Sequence, residues 1–395
     1  MKRSLVAALA AALTFAAGCG GSSTSSGSAF GNATPSYSAL SMDLTAADQT
    51  APALALDTTG TSSASSALVA DPAGGALLSP TECHPHLFVR TEDVVQRVNR
   101  HLWRALRRVE RVIAFAPTID TGTERVWERV ENGIDAKFTM TRTSDQVFTW
   151  KLELKKTTDA AFVTVTTGTI DRSAAQGPHQ GTGVLTIDLG ALAGVTGEPV
   201  AGVLSATFES LPASRKLAVD AENVVWDSDA NTDGARAPRS AHYVYAREPG
   251  KGGSLKVQEQ MVFLCPENPG LAAADVKLVS RWVRTASGSV HGRSDALMTG
   301  GQLSATNQVV GVTCHQSAAE EQEQAEGYWL MKLEDTTSTP AGNTVAGGSV
   351  DSGTAGVTAC DPVFGAVPNL GDASQDFAFG AVDFTSADPY PFPGA

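Results

Sequence analysis

From Val94 to Ile113 the apolar residues Val94, Val95, Val98, Leu102, Leu106, Val109, Val112 and Ile113 recur at three- and four-residue intervals. That is the repeat of one face of an α-helix. Thr91 ahead of Glu92 and Asp93 supplies a capping hydroxyl and acids for a first turn, and Pro117 closes the run. The spacing predicts one amphipathic helix over 91–116. Arg97, Arg100, Arg104, Arg107, Arg108 and Arg111 fall largely off its apolar stripe. They read as a solvated face beside Glu110, with contact to anionic lipid headgroups as the functional alternative.

From Glu124 the period changes to two. Val126, Glu128 and Val130 alternate with Trp127, Arg129 and Glu131, and Asn132-Gly133 follows as a hairpin turn. Ile134, Ala136, Phe138 and Met140 return on one face. Phe148, Trp150, Leu152 and Leu154 share a face opposite Thr149, Lys151, Glu153 and Lys155. Similar alternation recurs at Leu185-Ile187-Leu189, Leu217-Val219-Ala221, Leu255-Val257, Val276-Leu278 and Trp329-Met331-Leu333. About twelve strands are expected between 124 and 334, joined by turns such as Pro249-Gly250-Lys251-Gly252-Gly253, with no helix between them. Such strands pair antiparallel.

One apolar face per strand must pack on something, and a meander this long must close, fold over or be covered. The fold class expected is therefore mainly β. A large antiparallel meander forms a curved sheet or incomplete barrel around or beneath one amphipathic helix. This arrangement resembles the half-open barrels of periplasmic lipoprotein carriers and related lipid-binding lipoproteins. The resemblance is one of architecture, and no residues carry over from it. A transmembrane barrel is the competing architecture. The internal cover, a lipidated start and the ending Pro391-Phe392-Pro393-Gly394-Ala395 argue against it.

The flanks differ from this middle. Lys2 and Arg3 precede the apolar run Leu5–Phe15 and then Ala16-Ala17-Gly18-Cys19. A charged start, a short apolar run and small residues at a cleavage point make a secretory signal, too short to span a bilayer. Small residues directly before Cys19 resemble the lipobox of bacterial lipoproteins, over the first twenty or so residues. That resemblance implies a signal peptide over 1–18, diacylglycerol on the Cys19 thiol and acylation, as by palmitate, of its new amino group. It makes the membrane a partner through the anchor. Gly20 in place of the aspartate that retains enterobacterial lipoproteins in the inner membrane favours the outer membrane, at its periplasmic face or the cell surface.

Ser, Thr, Ala and Gly dominate 20–80, so 19–80 is expected to be a flexible tether of roughly 45 Å reach, ahead of a folded unit over 81–334. An acidic low-complexity tail, 335–395, carries Phe364, Phe377, Phe379, Phe384, Tyr390 and Phe392, which can dock short pieces on the domain. The net charge of −13 sits mostly in the flanks, because 27 of the 29 basic residues and 29 of the 42 acids lie within 83–332. Nothing in that balance suggests a nucleic-acid partner.

With Cys19 lipidated, four cysteines remain: Cys83, Cys265, Cys314 and Cys360. An even number in an exported protein reads as two disulfides. Three connectivities are open. Cys314–Cys360 is slightly favoured because it would staple the tail to the last strands, at roughly 3–4 kcal/mol in the chain-entropy account. Cys83-His84-Pro85-His86 and Cys314-His315 offer thiolate and imidazole for zinc or copper, yet lie far apart without a C-x-x-C or H-E-x-x-H spacing. Asp227, Asp229, Asn231 and Asp233, followed by Gly234, look like the start of an EF-hand or dockerin calcium loop. Ser240 stands at the twelfth position, where a bidentate Glu is expected. The segment is read first as an Asp-rich turn, with a structural Ca²⁺ site as the alternative; no other cofactor is expected.

Enzyme signatures are missing: no G-x-S-x-G, no P-loop and no G-x-G-x-x-G after a strand. Of the seven histidines, His242 and His291 fall on expected strands, where carboxylates can approach them. The reading is a lipid-anchored cell-envelope protein with a non-enzymatic binding or structural β domain and no catalytic residues. Its partners would be the membrane and a lipid or envelope-protein ligand. A lipid or lipoprotein carrier with an apolar cavity between sheet and helix is the first alternative, and an envelope hydrolase the second.

Overall fold

The structure, a computed structural model, describes residues 25–44, 87–225, 239–261, 274–284, 290–301, 303, 305–317, 325–335, 344–348 and 383–392. Four helices are described: α1 (Ser25–Ala33), α2 (Tyr37–Leu40), α3 (Leu87–Ile113) and α4 (Leu189–Thr196). The strands are β1 (Ile119–Asp120), β2 (Glu124–Glu131), β3 (Ile134–Arg142), β4 (Val147–Lys156), β5 (Val163–Asp171), β6 (Gly181–Asp188), β7 (Ala201–Ser210) and β8 (Arg215–Val225). They continue as β9 (Arg239–Glu248), β10 (Gly252–Met261), β11 (Ala274–Arg284), β12 (Val290–Thr299), β13 (Asn307–Ser317), β14 (Ala325–Asp335) and β15 (Thr344–Gly348).

All belong to one sheet in which every neighbour in sequence is a neighbour in space, from β1 at one edge to β15 at the other. Every pairing is antiparallel. Thirteen full strands, β2–β14, are flanked by the two short ones, and the sheet does not close. The mainly β antiparallel meander expected from the sequence is therefore present. Asn132 and Gly133 take φ of 51° and 78° in the β2–β3 turn, the left-handed pair that an Asn-Gly hairpin requires.

α3 runs across the inner face. Its first turns meet β11–β13, where Thr91 Oγ1 lies against Ser280 Oγ. Val98 and Leu102 face Leu185, Ile187, Leu204, Ala206 and Val219 on β6–β8. The last turn reaches β2, where Arg129 donates to the Arg111 carbonyl at 3.2 Å. A helix of 27 residues is about 40 Å long, whereas β2 to β13 spans about 53 Å measured along the strands' spacing. The same helix touches both, so the sheet curves around it. Inward-facing Trp150 and Trp282 each pass over a cross-strand glycine. A Cβ at Gly168 would stand 2.3 Å from the Trp150 ring, and one at Gly253 2.5 Å from that of Trp282.

Several expectations are corrected. α3 starts a turn before Thr91, which is no cap: its hydroxyl donates to the Leu87 carbonyl at 2.9 Å and anchors the helix to β11. A helix, α4, does interrupt the meander. Two glycines weaken its sequence signal, but Asp188 caps it and Gly197 ends it at φ 74°. On β2, where alternation leaves the inward set open, the inner face carries Trp127, opposite Phe138; Val130 is 61% exposed. The tether proves too long as drawn, because residues 25–44 dock on the domain with Phe30, Leu40, Met42 and Leu44 buried in the core. The tail contributes β15 and a docked segment, 383–392, with Phe384 and Phe392 buried. Cys83, Cys265 and Cys360, the Asp227–Asp233 loop, and Phe364, Phe377 and Phe379 lie outside the described residues.

Candidate functional site

The apolar stripe of α3 leaves its last three turns with Ala105, Leu106, Val109 and Val112 buried, and so turns Arg104, Arg107, Arg108 and Arg111 to the other side. Two short elements frame this basic face. α4 is capped by Asp188, whose Oδ1 accepts from Ala191 N–H at 2.7 Å, and its left-handed end at Gly197 places Glu198 against Arg108 as an ion pair. Arg108 also donates to the Arg104 carbonyl at 3.2 Å. On the other flank Arg129 lies 4.2 Å over the Phe115 ring and 3.7 Å from Glu131.

Between these elements lies a groove of about 280 Å³, rimmed by Arg108, Arg111, Arg129, Glu131 and Glu198 and floored by Val112, Ile134, Ala136 and Leu154. It continues into a second concavity of about 270 Å³ that adds Trp103, Arg104 and Arg107 and shares Arg108, Arg111 and Glu198. Arg107 stacks 4.6 Å over Trp103. Five guanidiniums and two carboxylates thus border one surface with an apolar floor. Guanidinium forks bind carboxylate and phosphate oxygens bidentately, so this surface suits an anion that carries apolar substance behind it. His101 adds no charge: burial first, then Arg104, Arg100 and Arg97, hold its pKa down at about 3.

Between α3 and β6–β8 the described side chains pack closely. The enclosed apolar void between α3 and β6–β8 is about 10 Å³, the size of a single water. No acyl chain fits there while the helix is seated.

The other candidates separate cleanly. His242 does meet a carboxylate, Asp220, with Nδ1 2.5 Å from Oδ1. Its Nε2, however, faces the backbone carbonyl of Ser386 at 3.4 Å and not a nucleophile. His291 stands on β12 opposite Val283 and Gln316. Glu259 accepts from Arg97 at 2.8 Å and from the Tyr243 hydroxyl, in the core. Burial, then the Glu259 charge, raises the Tyr243 pKa well above the usual phenol value, so this cluster is a buried polar brace. Cys314 is fully buried on β13, and a bridge from it would run to a cysteine outside the described residues. Among the described residues no group of three or more His, Cys, Asp or Glu is placed to hold a metal ion.

Sequence reasoning identified the arginines of the helix but not Arg129, Glu131 or Glu198. The Asp188 to Gly197 cap pair was the signal for α4, and hence for Glu198. Neither protein-family models nor curated proteins nor solved structures match this chain.

Proposed function

We propose that the protein is a lipid-anchored, non-enzymatic binding protein of the cell envelope, and that the arginine-lined groove beside the C-terminal half of α3 receives an anionic, partly apolar ligand. The observation that carries this reading is the groove's composition: guanidiniums at the rim and Val112, Ile134, Ala136 and Leu154 as a floor. The close packing between α3 and β6–β8 favours a surface site over a carrier cavity in that seam. The His242–Asp220 pair, without a nucleophile on its far side, gives the hydrolase reading little support. Membrane association rests on the lipobox ending at Cys19.

Two measurements test the two parts. Cys19→Ala leaves a soluble, unacylated product; a variant that still carries covalent lipid refutes the anchor. Dodecyl phosphate, titrated by calorimetry into the full chain, binds in the micromolar-to-millimolar range. Arg107→Ala with Arg111→Ala weakens it about tenfold or more, each lost charged contact being worth roughly 1.5–3 kcal/mol. Equal binding by the variant, or none by either, refutes the groove.

A further inference from the structure

A lipid-anchored reading leaves open which end of the domain meets the membrane. The described chain resumes at α1, whose first residue is Ser25, six residues after Cys19. Six residues reach at most about 22 Å whatever their conformation. The place where 25–44 docks therefore fixes the place where the lipid is held.

That place is one end of the strands. Phe30 packs edge-on against Phe148, at the start of β4, with ring centroids 5.4 Å apart. His179, in the β5–β6 connection, donates its backbone N–H to the Asn32 carbonyl at 2.7 Å. Arg215, at the start of β8, donates to the Ser38 carbonyl at 3.1 Å. At the end of β9, Tyr245 donates to the Asp43 carbonyl at 2.8 Å and Arg247 pairs with the Asp43 carboxylate at 2.6 Å. Asn99 of α3 closes the set with two bonds to the Met42 backbone, at 2.8 and 2.7 Å. Residues 25–44 are thus a belt across one rim, from β4 to β9. Leu154 on the groove floor lies six residues along β4 from Phe148, about 20 Å away at the opposite rim.

We infer that the domain stands on the membrane by its belted rim, against the phospholipid headgroups of the leaflet that holds the Cys19 acyl chains, and presents the arginine groove to the opposite side. The inference rests on the anchored reading. The short link alone sets this attachment; of the basic residues at this rim, Arg142 pairs with Asp145, Lys216 with Glu209 and Lys251 with Glu248, while Arg172 and Arg215 donate to backbone carbonyls. High salt leaves the orientation unchanged. The groove's ligand then arrives from the aqueous side and not from the anchoring leaflet.

The test uses the full, acylated chain in phosphatidylethanolamine–phosphatidylglycerol vesicles. A photo-crosslinking residue is placed at Ser144 or Lys251, exposed turns of the belted rim, or at Asp159, an exposed turn of the opposite rim. Lipid adducts are expected at 144 and 251 and none above background at 159. A Gly/Ser insert of about twenty residues after Gly21 relaxes that preference, since the lengthened link extends to about 90 Å, well beyond the height of the domain. Adducts at 159 equal to those at 144, on a chain whose intact mass shows the acylated Cys19, overturn the orientation alone. An unacylated chain in the same mass measurement overturns the anchor and the orientation together.

Discussion

In β3–β8 the buried side chains lie mostly on the inner face of the sheet, whereas in β9–β13 both faces are covered. β4 shows the first condition: Phe148, Trp150, Leu152 and Leu154 are buried while Lys151 between them is exposed. The outer positions of neighbouring strands carry Thr139, Thr141, Thr149, Thr167, Thr169 and Thr186 around an open concavity of about 370 Å³. β12 shows the second, with five consecutive buried residues from Gly292 to Ala296. Outer-face valines Val244, Val279, Val283, Val310 and Val312 are buried there, as are Lys256, Arg293 and Asp295. Part of the cover is the segment 383–392. Lys256 donates to the Asp383 and Ser386 carbonyls at 2.8 and 3.0 Å, Lys277 lies 5.4 Å from the Phe384 ring, and Arg281 lies 5.2 Å from that of Tyr390. One meander thus supports two layers at its start and three near its end. What decides between them is the residue type at the outward positions: threonine in one half, valine in the other.

The sharpest way to break this comparison is to unsettle the charges in the added layer. Asp295 accepts from Arg293 Nε at 2.9 Å and Nη2 at 2.7 Å, with Arg281 3.4 Å away, and is fully buried. Asp295→Ala leaves buried guanidinium without its carboxylate and is expected to destabilise by about 3–5 kcal/mol in urea unfolding. A loss below about 1 kcal/mol means the outer face is wet and the three-layer description is wrong.

Next in size is the cover itself. Phe384→Ala removes a buried ring from the outer layer and is expected to destabilise by about 2–3 kcal/mol, below a full core deletion because one residue of a short segment relaxes more easily. Dye binding to the newly exposed valines of β11 and β13 rises in parallel. Unchanged stability would show that 383–392 lies on the sheet without holding it.

His101 probes the inner layer that both halves share. Its folded pKa of about 3 lies below the ordinary value of about 6.5, so the unfolded chain takes up the proton first as pH falls. The stability it contributes is complete above about pH 6.5 and drains away towards pH 3. Between pH 7 and pH 5 the loss is about 2 kcal/mol. His101→Gln should flatten that slope. Since α3 touches β2–β3 and β11–β13, acid should unfold both halves in one transition.

The comparison also says what was readable beforehand. Period-two runs gave β3, β4, β6 and β8 with the correct inward residues, because a one-sided strand advertises itself by alternation. For the doubly covered strands β10 and β11 alternation marks the inner residues Leu255, Val257, Val276 and Leu278, but it does not show that the opposite face is covered too. Alternation does not choose the inward face of β2, because the strand lies beside the short edge strand β1, at the rim of the groove, where the inner face reaches past the helix. Arg125 and Arg129 can point inward there and still reach water, leaving Val126 and Val130 as the decoy pattern. The belt over 25–44 was hidden by its composition. Ser, Gly and Ala predict a tether, and only isolated Phe30, Leu40 and Met42 betray docking. The groove joins α3, α4 and the β2–β3 hairpin across 90 residues between Arg108 and Glu198, a distance that no local pattern bridges.

The smallest effect is the control on which the comparison depends. Thr167 stands on the outer face of β5, exposed, opposite Lys151 on one side and Thr186 on the other. Thr167→Val replaces a solvated hydroxyl with the methyl that the other half buries at equivalent positions. Valine is at least as good a strand former, and no layer covers the site to reward the methyl or to clash with it. The expected change is within about 0.5 kcal/mol, with no loss of solubility from a single exposed valine. The mirror variant, Val279→Thr, places a hydroxyl in the covered face without water and should destabilise by about 1–3 kcal/mol. Threonine and valine are nearly the same shape, so the difference between the two exchanges isolates hydration. If both are neutral, the two faces are equally wet. If both destabilise, an unseen cover lies over β5 as well, and the open threonine face is not open.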